Sequence, residues 1–252
     1  LFDLSQSNSE HSRHWFFNGK LKYNGRVIDK TLFDMVKSTL RKENSIIAFS
    51  DNASAIRGHI VKHFSPDITS NEYATKESLN HITFTAETHN FPTGVAPFPG
   101  AATGIGGRIR DNQSIGRGGL LIAGTAGYSV GNLYIGKRNR WETEKPYSKD
   151  ISVSAVKILI EASNGASDYG NKIGEPIING FTRSFGLKMP DDSFVEWIKP
   201  IMFTGGIGQM NDMHIYKHRP RNVMKVVRLG GPAYKIGVGG GAASSRIQEK
   251  KN

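Results

Sequence analysis

The sequence contains no cysteine among its 252 residues. Disulfide bonds, thiolate metal sites and a cysteine nucleophile are therefore excluded for this chain. It also lacks any apolar run close to the roughly 20 residues that a helix needs to cross a bilayer. Its first residues, LFDLSQSNSE, have neither the basic start nor the apolar stretch of a signal peptide. These absences predict a cytoplasmic chain without a membrane partner.

Motifs of common nucleotide-binding folds are also missing. The phosphate-binding pattern GxxxxGK[ST] does not occur, so a P-loop NTPase is not expected. The run Gly104-Ile105-Gly106-Gly107 matches a dinucleotide-binding turn only weakly. The formal charge is +11, but aromatic and basic residues do not alternate as they do in RNA-recognition modules. Phosphorylated small substrates are therefore favoured, and no nucleic-acid partner is expected.

An apolar fraction of 37% and a charged fraction of 22% are typical of a globular protein of one large or two small domains. Because the chain begins at Leu1 and ends in a polar segment, we expect it to be a piece of something longer or an incomplete gene model. The polar stretch from Lys137 to Asp150 has no apolar periodicity and predicts a boundary between domains at 1–150 and 151–252.

Hydrophobic periodicity and turn residues predict a mixture of helices and strands, hence an α/β or α+β fold. Thr31 and Asp34 fit a capping box at the start of a helix. The other predicted elements are the end of a helix within 5–17, strands at 45–51, 81–86 and 120–123, a proline-enforced loop at 92–99, a short helix within 100–111, a helix from Val153 to Asn164-Gly165, and strands near 198–204, 224–229 and 234–238.

The segment from Glu87 to Asp111 is the one best suited to chemistry. Its 25 residues place two acids, a histidine, an asparagine and two arginines around a glycine-dense turn. Glycines let backbone amides approach a ligand, carboxylates can hold Mg²⁺, and guanidinium groups match phosphate geometry. The combination predicts phosphoryl chemistry on a nucleotide.

Each of these residues also has a structural interpretation, and the sequence leaves both open. Glu87 and Asp111 can meet over one cation, or Asp111 can pair with Arg108 or Arg110 at the surface. His89 can accept a proton, since imidazole titrates near neutrality, or it can only hydrogen-bond the strand. Arg110 can clamp a phosphate or stabilise a helix end. Two further glycine clusters, at 204–208 and 237–245, predict either a ligand cavity or tight backbone crossings.

A second candidate site lies near the start of the chain. His11 and His14 are three residues apart and would share a helical face, as a metal pair or as a packed pair. The spacing is not that of an HExxH zinc protease. The neighbouring residues Asn8, Glu10 and Arg13 favour a catalytic role for His11.

Read together, six segments resemble the large, eukaryote-type phosphoribosylformylglycinamidine synthases. They are NSEHSRHWFFNG, FTAETHNFPTGVAPFPGAATGIGGRIRD, GRGG with AGTAGYSVGNL, EASNGASDYGNKIGEPIINGF, EWIKPIMFTGGIG and YKIGVGGGAASSR. They cover nearly the whole chain in the family's order, and only 136–154 departs from it. Ligases of the same fold that act on aminoimidazole or selenide are disfavoured, because the SEHSRH and ETHNFP segments fit the amidine-forming family better.

The resemblance implies an ATP-dependent carbon–nitrogen ligase that converts formylglycinamide ribonucleotide and glutamine to formylglycinamidine ribonucleotide in purine biosynthesis. It implies His11 and His89 as catalytic residues, with His89 as a proton acceptor, and Glu87 and Asp111 as Mg²⁺ ligands. One departure is Thr85, where smaller members of the family carry a lysine for ATP.

Two further sets of residues follow from the resemblance. The implied substrate contacts are Thr88, Asn90 and Arg110. The implied ATP contacts are Gly100, Ala101, Ala102, Thr103, Gly104, Ile105, Gly106, Gly107, Arg108, Ile109, Arg110, Asp111, Asn179, Gly180 and Phe181.

The implied fold is similar to aminoimidazole ribonucleotide synthetase: an N-terminal α/β domain, here 1–150, that pairs through its sheet, followed by the start of an α/β sandwich domain, here 151–252. The expected partners are formylglycinamide ribonucleotide, ATP with Mg²⁺, ammonia from a glutaminase domain absent from this sequence, and a second synthetase half in the same polypeptide. The alternative is a non-catalytic piece that binds a nucleotide or a partner chain.

Overall fold

The computed structural model describes residues 20–67, 69–142 and 153–231. The predictions for 5–17, with His11, and for 234–238 lie outside these ranges. Helices and strands alternate in a mixed sheet, which confirms the predicted α/β class. Among the described residues, no helix combines the length and the apolar character that spanning a bilayer requires.

The described helices are α1 (Leu32–Lys37), α2 (Asn90–Val95), α3 (Pro97–Gln113) and α4 (Ala155–Ile173), with a 3-10 turn at Asp212–His214. The described strands are β1 (Leu21–Tyr23), β2 (Arg26–Ile28), β3 (Ser45–Ile47), β4 (Ser54–Pro66), β5 (Tyr73–Thr88), β6 (Leu120–Val130), β7 (Ile177–Ser184), β8 (Gly186–Lys188), β9 (Phe194–Glu196) and β10 (Ile201–Asn211). The described residues divide into two compact units, one of 20–45 and one of 46–231.

In the first unit, β1 and β2 form a hairpin around Asn24 and Gly25, whose φ angles are 47° and 74°. Two positive φ angles in succession suit the Asn-Gly pair of a tight hairpin turn. The predicted capping box is confirmed at α1. The Thr31 hydroxyl accepts the Asp34 amide at 3.0 Å, and the Asp34 carboxylate accepts the Thr31 amide at 3.1 Å.

The second unit contains a six-stranded sheet of order β3-β4-β5-β10-β6-β7. The pairs β4–β5, β5–β10 and β10–β6 are antiparallel, and β6–β7 is parallel. Because β10 lies between β5 and β6, strands from both sides of residue 150 share one sheet. The predicted domain division at 150 therefore does not coincide with these compact units, and it stays a prediction.

The two faces of this sheet differ. Helices α3 and α4 cover one face and form the main core there. The core residues are Ala101, Ile105, Ile109, Ala126, Tyr128, Ala162, Ala166 and Met202. On the opposite face, which we call the open face, Phe84, Ile178 and Ile207 are each at least 40% exposed.

The proline-enforced loop predicted at 92–99 is wrong, and so is the glycine-dense turn after it. Residues 90–95 form α2, and α3 begins at Pro97 and continues to Gln113. Proline is tolerated in a first helical turn because amides there have no intrahelical acceptor. Glycine serves packing instead: a Cβ on Gly104 would lie 2.9 Å from the Cβ of His89 and from the sulfur of Met202.

Two other predicted boundaries are wrong for related reasons. Helix α4 continues past Asn164-Gly165 and ends at Gly174, whose φ is 84°. Gly165 is a contact point rather than a helix end, because a Cβ there would lie 2.1 Å from the carbonyl oxygen of Phe98. Residues 224–229 form no regular strand. Apolar residues alone could not distinguish that exposed segment from a buried strand.

Candidate active site

Strand β5 and helix α3 bring the two predicted cation ligands to the same side of the sheet. Glu87 pairs in register with Thr204 of β10, and paired residues share a face. The Thr204 hydroxyl accepts the Arg108 Nε–H of α3 at 2.7 Å, so this is the helix-covered face. Asp111 lies one helical turn beyond Arg108, and its side chain is 17% exposed. The cation hypothesis requires this common placement.

Open space adjoins these acids. The register between β4 and β5 ends at the pair Ser54–Phe84, so β4 forms no ladder with the last residues of β5. Gly107, one turn before Asp111, faces space in which an added Cβ would meet nothing within 4 Å. A ligand could therefore reach Glu87 along this edge.

The donor set fits Mg²⁺ carried by a nucleotide. Within the described ranges, no cluster of three or more histidine or acidic side chains could hold a metal by itself. Mg²⁺ commonly binds through one or two carboxylates and completes its shell with water and substrate phosphates. Two carboxylates on one face suit that mode. Ligation by Glu87 and Asp111 stays a prediction.

His89 follows β5 and is the N-cap of α2. Its Nδ1 lies 2.6 Å from the carbonyl oxygen of Gly100, and because a carbonyl can only accept, Nδ1 carries the hydrogen. In the neutral ring Nε2 is then the unprotonated nitrogen, and it makes no hydrogen bond to any residue within the described ranges. This tautomer is the one that a proton acceptor at Nε2 requires.

A clamp on Met202 fixes the backbone around His89. The His89 amide donates to the Met202 carbonyl oxygen at 2.9 Å. The Asn90 side-chain oxygen accepts the Met202 amide at 3.0 Å, which leaves the two hydrogens of the Asn90 amide group for a ligand. Thr88 differs from both, because its register partner is Phe203 and it belongs to the open face.

Arg108 is not available to a ligand, although it belongs to the predicted ATP set. Its side chain is fully buried and forms a two-pronged pair with the buried carboxylate of Glu175. Burial lowers the pKa of Arg108 to about 10, so the guanidinium stays charged at neutral pH. The sequence did not indicate Glu175 or Thr204. The one available signal was the glycine-rich pattern of the strands beneath Arg108.

Because residues 100–111 form part of α3, some of their side chains face the core and others face solvent. Ala101, Ile105 and Ile109 lie in the core, and the amides inside α3 are used by helical hydrogen bonds. A backbone phosphate cradle is therefore not formed by this segment. Arg110 faces outward with its side chain 77% exposed, and its Nη2 is 3.6 Å from Asp111 Oδ1. Both interpretations of Arg110 stay open.

The remaining predicted ATP contacts, Asn179, Gly180 and Phe181, lie on β7. Asn179 and Phe181 pair in register with Thr125 and Gly127, on the open face. The Phe181 ring stacks on Phe203 at 6.2 Å, beside a cavity of about 300 Å³ that Asn179 helps to line. From β5 to β7 is three strand spacings, about 14 Å. The structure therefore does not bring these side chains together with Glu87.

No protein-family model matches the chain. Over 98% of its length it is 58% identical to phosphoribosylformylglycinamidine synthase of Dictyostelium discoideum, and over 97% it is 53% identical to the Homo sapiens enzyme of that name. The chain spans only 18% and 19% of those two proteins. These similarities confirm the resemblance that the six motifs carry.

Solved structures give weaker matches. PurL of Thermotoga maritima complexed with ATP matches with a TM-score of 0.47 and 11% identity, covering 79% of this chain and 26% of that one. AaThiL complexed with AMPPCP and TMP matches with a TM-score of 0.40 and 12% identity, covering 71% of this chain and 40% of that one. These scores are too low to establish a shared fold by themselves.

Proposed function

We propose, from its similarity to one segment of the phosphoribosylformylglycinamidine synthases, that this chain contributes to an ATP-dependent carbon–nitrogen ligase of purine biosynthesis. The reaction would convert formylglycinamide ribonucleotide, ATP and glutamine to formylglycinamidine ribonucleotide, ADP, phosphate and glutamate. Ammonia from a glutaminase domain and pairing with a second synthetase half would come from sequence outside this chain. The cytoplasm stays the predicted compartment.

One observation of the structure supports this proposal above the others: Glu87 and Asp111 share the helix-covered face beside open space. We assign these two carboxylates to Mg²⁺, which when bound would neutralise charge on the ATP phosphates. Arg110, exposed at the end of α3, would contact an anionic group of the substrate.

His89 would hold the proton that the reaction releases. The Gly100 carbonyl keeps hydrogen on Nδ1, so Nε2 can accept a proton from the attacking ammonia. The Met202 clamp orients the neighbouring Asn90, whose free amide hydrogens would donate to the substrate. Both residues follow the end of β5 directly, which places their backbone close to Glu87 along the chain.

The first experiment measures ATP binding to the chain by calorimetry, with excess Mg²⁺ and then with EDTA. We expect Mg²⁺-dependent binding, and we expect Glu87→Gln and Asp111→Asn each to weaken it by at least about tenfold, because each substitution removes a charged ligand. Asp168→Asn is the matched control, since Asp168 pairs with Lys172 on the surface of α4. Equal affinities in all four proteins would refute the cation site.

A further inference from the structure

A buried ion pair lies between α3 and the sheet. Arg108 and Glu175 are both fully buried, and Arg108 Nη1 donates to Glu175 Oε2 at 3.0 Å while Nη2 contacts Oε1. The third donor, Nε–H, is bound by the Thr204 hydroxyl at 2.7 Å, and that hydroxyl donates to the Thr125 carbonyl oxygen at 2.9 Å. Each of the three guanidinium nitrogens therefore contacts a partner inside the protein.

Two glycines in the strands beneath make room for this pair. A Cβ on Gly206 would lie 1.9 Å from Arg108 Nη1, and a Cβ on Gly124 would lie 2.4 Å from Glu175 Oε1. Any other residue at either position would displace the pair from the sheet. The charges are thus accommodated by specific positions on β6, β10, α3 and the turn after α4.

The ion pair also connects the two predicted cation ligands. Thr204 is the register partner of Glu87, so its bond to Arg108 ties α3 to the strand position beside that acid. Asp111 follows Arg108 by three residues on the same helix. A shift or rotation of α3 on the sheet would therefore change the separation of the two carboxylates.

We propose that Arg108, Thr204 and Glu175 are positioning residues that set the spacing of Glu87 and Asp111 for a Mg²⁺-bound nucleotide. This inference rests on the proposed function. A purely structural ion pair would not need a bond to the strand position beside Glu87, because packing of α3 on the core could hold the helix. Burial of a paired charge is by itself weak evidence for stability.

The test uses Thr204→Val, which keeps the shape of the side chain and removes the acceptor of Arg108 Nε. The dissociation constant of ATP is measured with excess Mg²⁺ and with EDTA, well below the melting temperature recorded by circular dichroism. We expect the constant with Mg²⁺ to rise about tenfold, the lower end of the range for outer-shell substitutions at metal sites. The constant with EDTA should stay unchanged.

Two further variants make the result specific. Thr204→Ser restores a hydroxyl and should return the Mg²⁺-dependent affinity to within about twofold of the wild type, since the donor–acceptor pair re-forms. Arg108→Lys keeps the charge for Glu175 but loses the Nε donor, and it replaces Thr204→Val if that variant does not fold.

The outcomes separate the two proposals. If the wild type binds Mg-ATP and Thr204→Val lowers only the melting temperature, the positioning role is overturned and the cation site stands. If the wild type shows no Mg²⁺-dependent binding, the cation site itself fails and the positioning role with it. Equal losses in Thr204→Val and Thr204→Ser would also overturn the inference, because the loss would then not depend on the Arg108 bond.

Discussion

His89 illustrates how a local contact can fix the tautomer of a residue whose chemical role its type leaves open. A histidine after a strand can bond the backbone or accept a proton. Here the Gly100 carbonyl oxygen accepts a hydrogen bond from Nδ1, with 2.6 Å between the two atoms. The contact arises because Gly100 lies in the first turn of α3, packed against Pro92. The backbone thus fixes the tautomer.

Gly107 offers a test of where the ligand lies. It is in the interior of α3 and faces open space, so Gly107→Ala should stabilise the chain by about 0.5–1 kcal/mol through helix propensity. If the nucleotide occupies that space, the same substitution should weaken Mg-ATP binding. Urea unfolding and calorimetry on one preparation measure both effects.

Gly165→Ala is the matched control on α4. The added Cβ would lie 2.1 Å from the Phe98 carbonyl oxygen, so this variant should lose about 1–3 kcal/mol by overpacking. A stabilised Gly107→Ala variant with unchanged Mg-ATP affinity would show that no ligand occupies the space beside Asp111.

At the scale of elements, α3 combines features that seemed to exclude a helix. Pro97 and Pro99 occupy its first turn, and four glycines follow within the helix at 100, 104, 106 and 107. Three of them face close neighbours: Gly100 meets Pro92, Gly104 meets Met202, and Gly106 meets Tyr169. Glycine lowers helix propensity, but it lets α3 approach the sheet and α4, and tertiary packing stabilises the helix.

Breaking the Arg108–Glu175 pair should destabilise this layer strongly, because one buried charge is then left without its partner. Glu175→Gln leaves a buried guanidinium without its counter-charge and should lower the free energy of unfolding by about 3–5 kcal/mol. The double variant Arg108→Met with Glu175→Leu removes both charges and should recover most of that loss, as replacement of buried pairs by apolar residues often does. Denaturant unfolding of the two variants measures the difference.

The same experiment separates stability from positioning. A double variant that folds well should still bind Mg-ATP more weakly than the wild type, because Thr204 has lost its partner from α3. Unfolding free energies equal to the wild type in Glu175→Gln would contradict the buried pairing itself.

At the scale of the whole molecule, the sheet of the second unit separates the predicted ligand contacts. Glu87, Asp111 and the Arg108 pair lie on the helix-covered face, whereas Thr88 and Phe181 lie on the open face. Exposed Phe84, Ile178 and Ile207 give that face an apolar character. Contiguous apolar surface of this kind commonly marks an interaction site. Pairing through the sheet stays a prediction.

Acid sensitivity of the second unit should depend on Asp51. Burial by itself raises the pKa of Asp51, but hydrogen bonds from Lys217 and from the amides of Asn52 and Gly116 outweigh it and hold the pKa below its ordinary value of 3.8. A carboxyl whose pKa is lower in the folded than in the unfolded protein stabilises the fold at pH values above its unfolded pKa. This stabilisation is lost as the pH falls through the folded pKa. Urea midpoints should therefore drop as the pH falls below 3.8.

Asp51→Asn isolates this contribution. Other carboxyls also titrate in acid, so the informative quantity is the difference in urea midpoint between the wild type and the variant. That difference should be largest near neutral pH and shrink in acid, because protonation removes the charge that the substitution has already removed. A difference independent of pH would show that the Lys217 contact does not stabilise the fold.

The sequence by itself determined the local features and the ancestry. The capping box of Thr31 and Asp34 and the mixed α/β class depend on neighbouring residues or on the balance of patterns along the chain. The six motifs were sufficient for the family resemblance because each is long and they occur in order. These signals need no knowledge of which strands become neighbours.

Only the tertiary structure decided how the central segment folds and which of its side chains share a face. The sequence predicted a phosphate-binding turn from these glycines, but in the structure they lie in a helix and allow close packing. What each glycine faces depends on strands and helices that are distant in sequence. Arg108 read as an anion clamp, but Glu175, 67 residues away, neutralises it in the core. Glu87 and Asp111 share a face because β10, more than 90 residues downstream, pairs with β5 and binds α3 through Thr204. Long-range pairing leaves no local trace, and it is what brings the residues of the candidate site to one face.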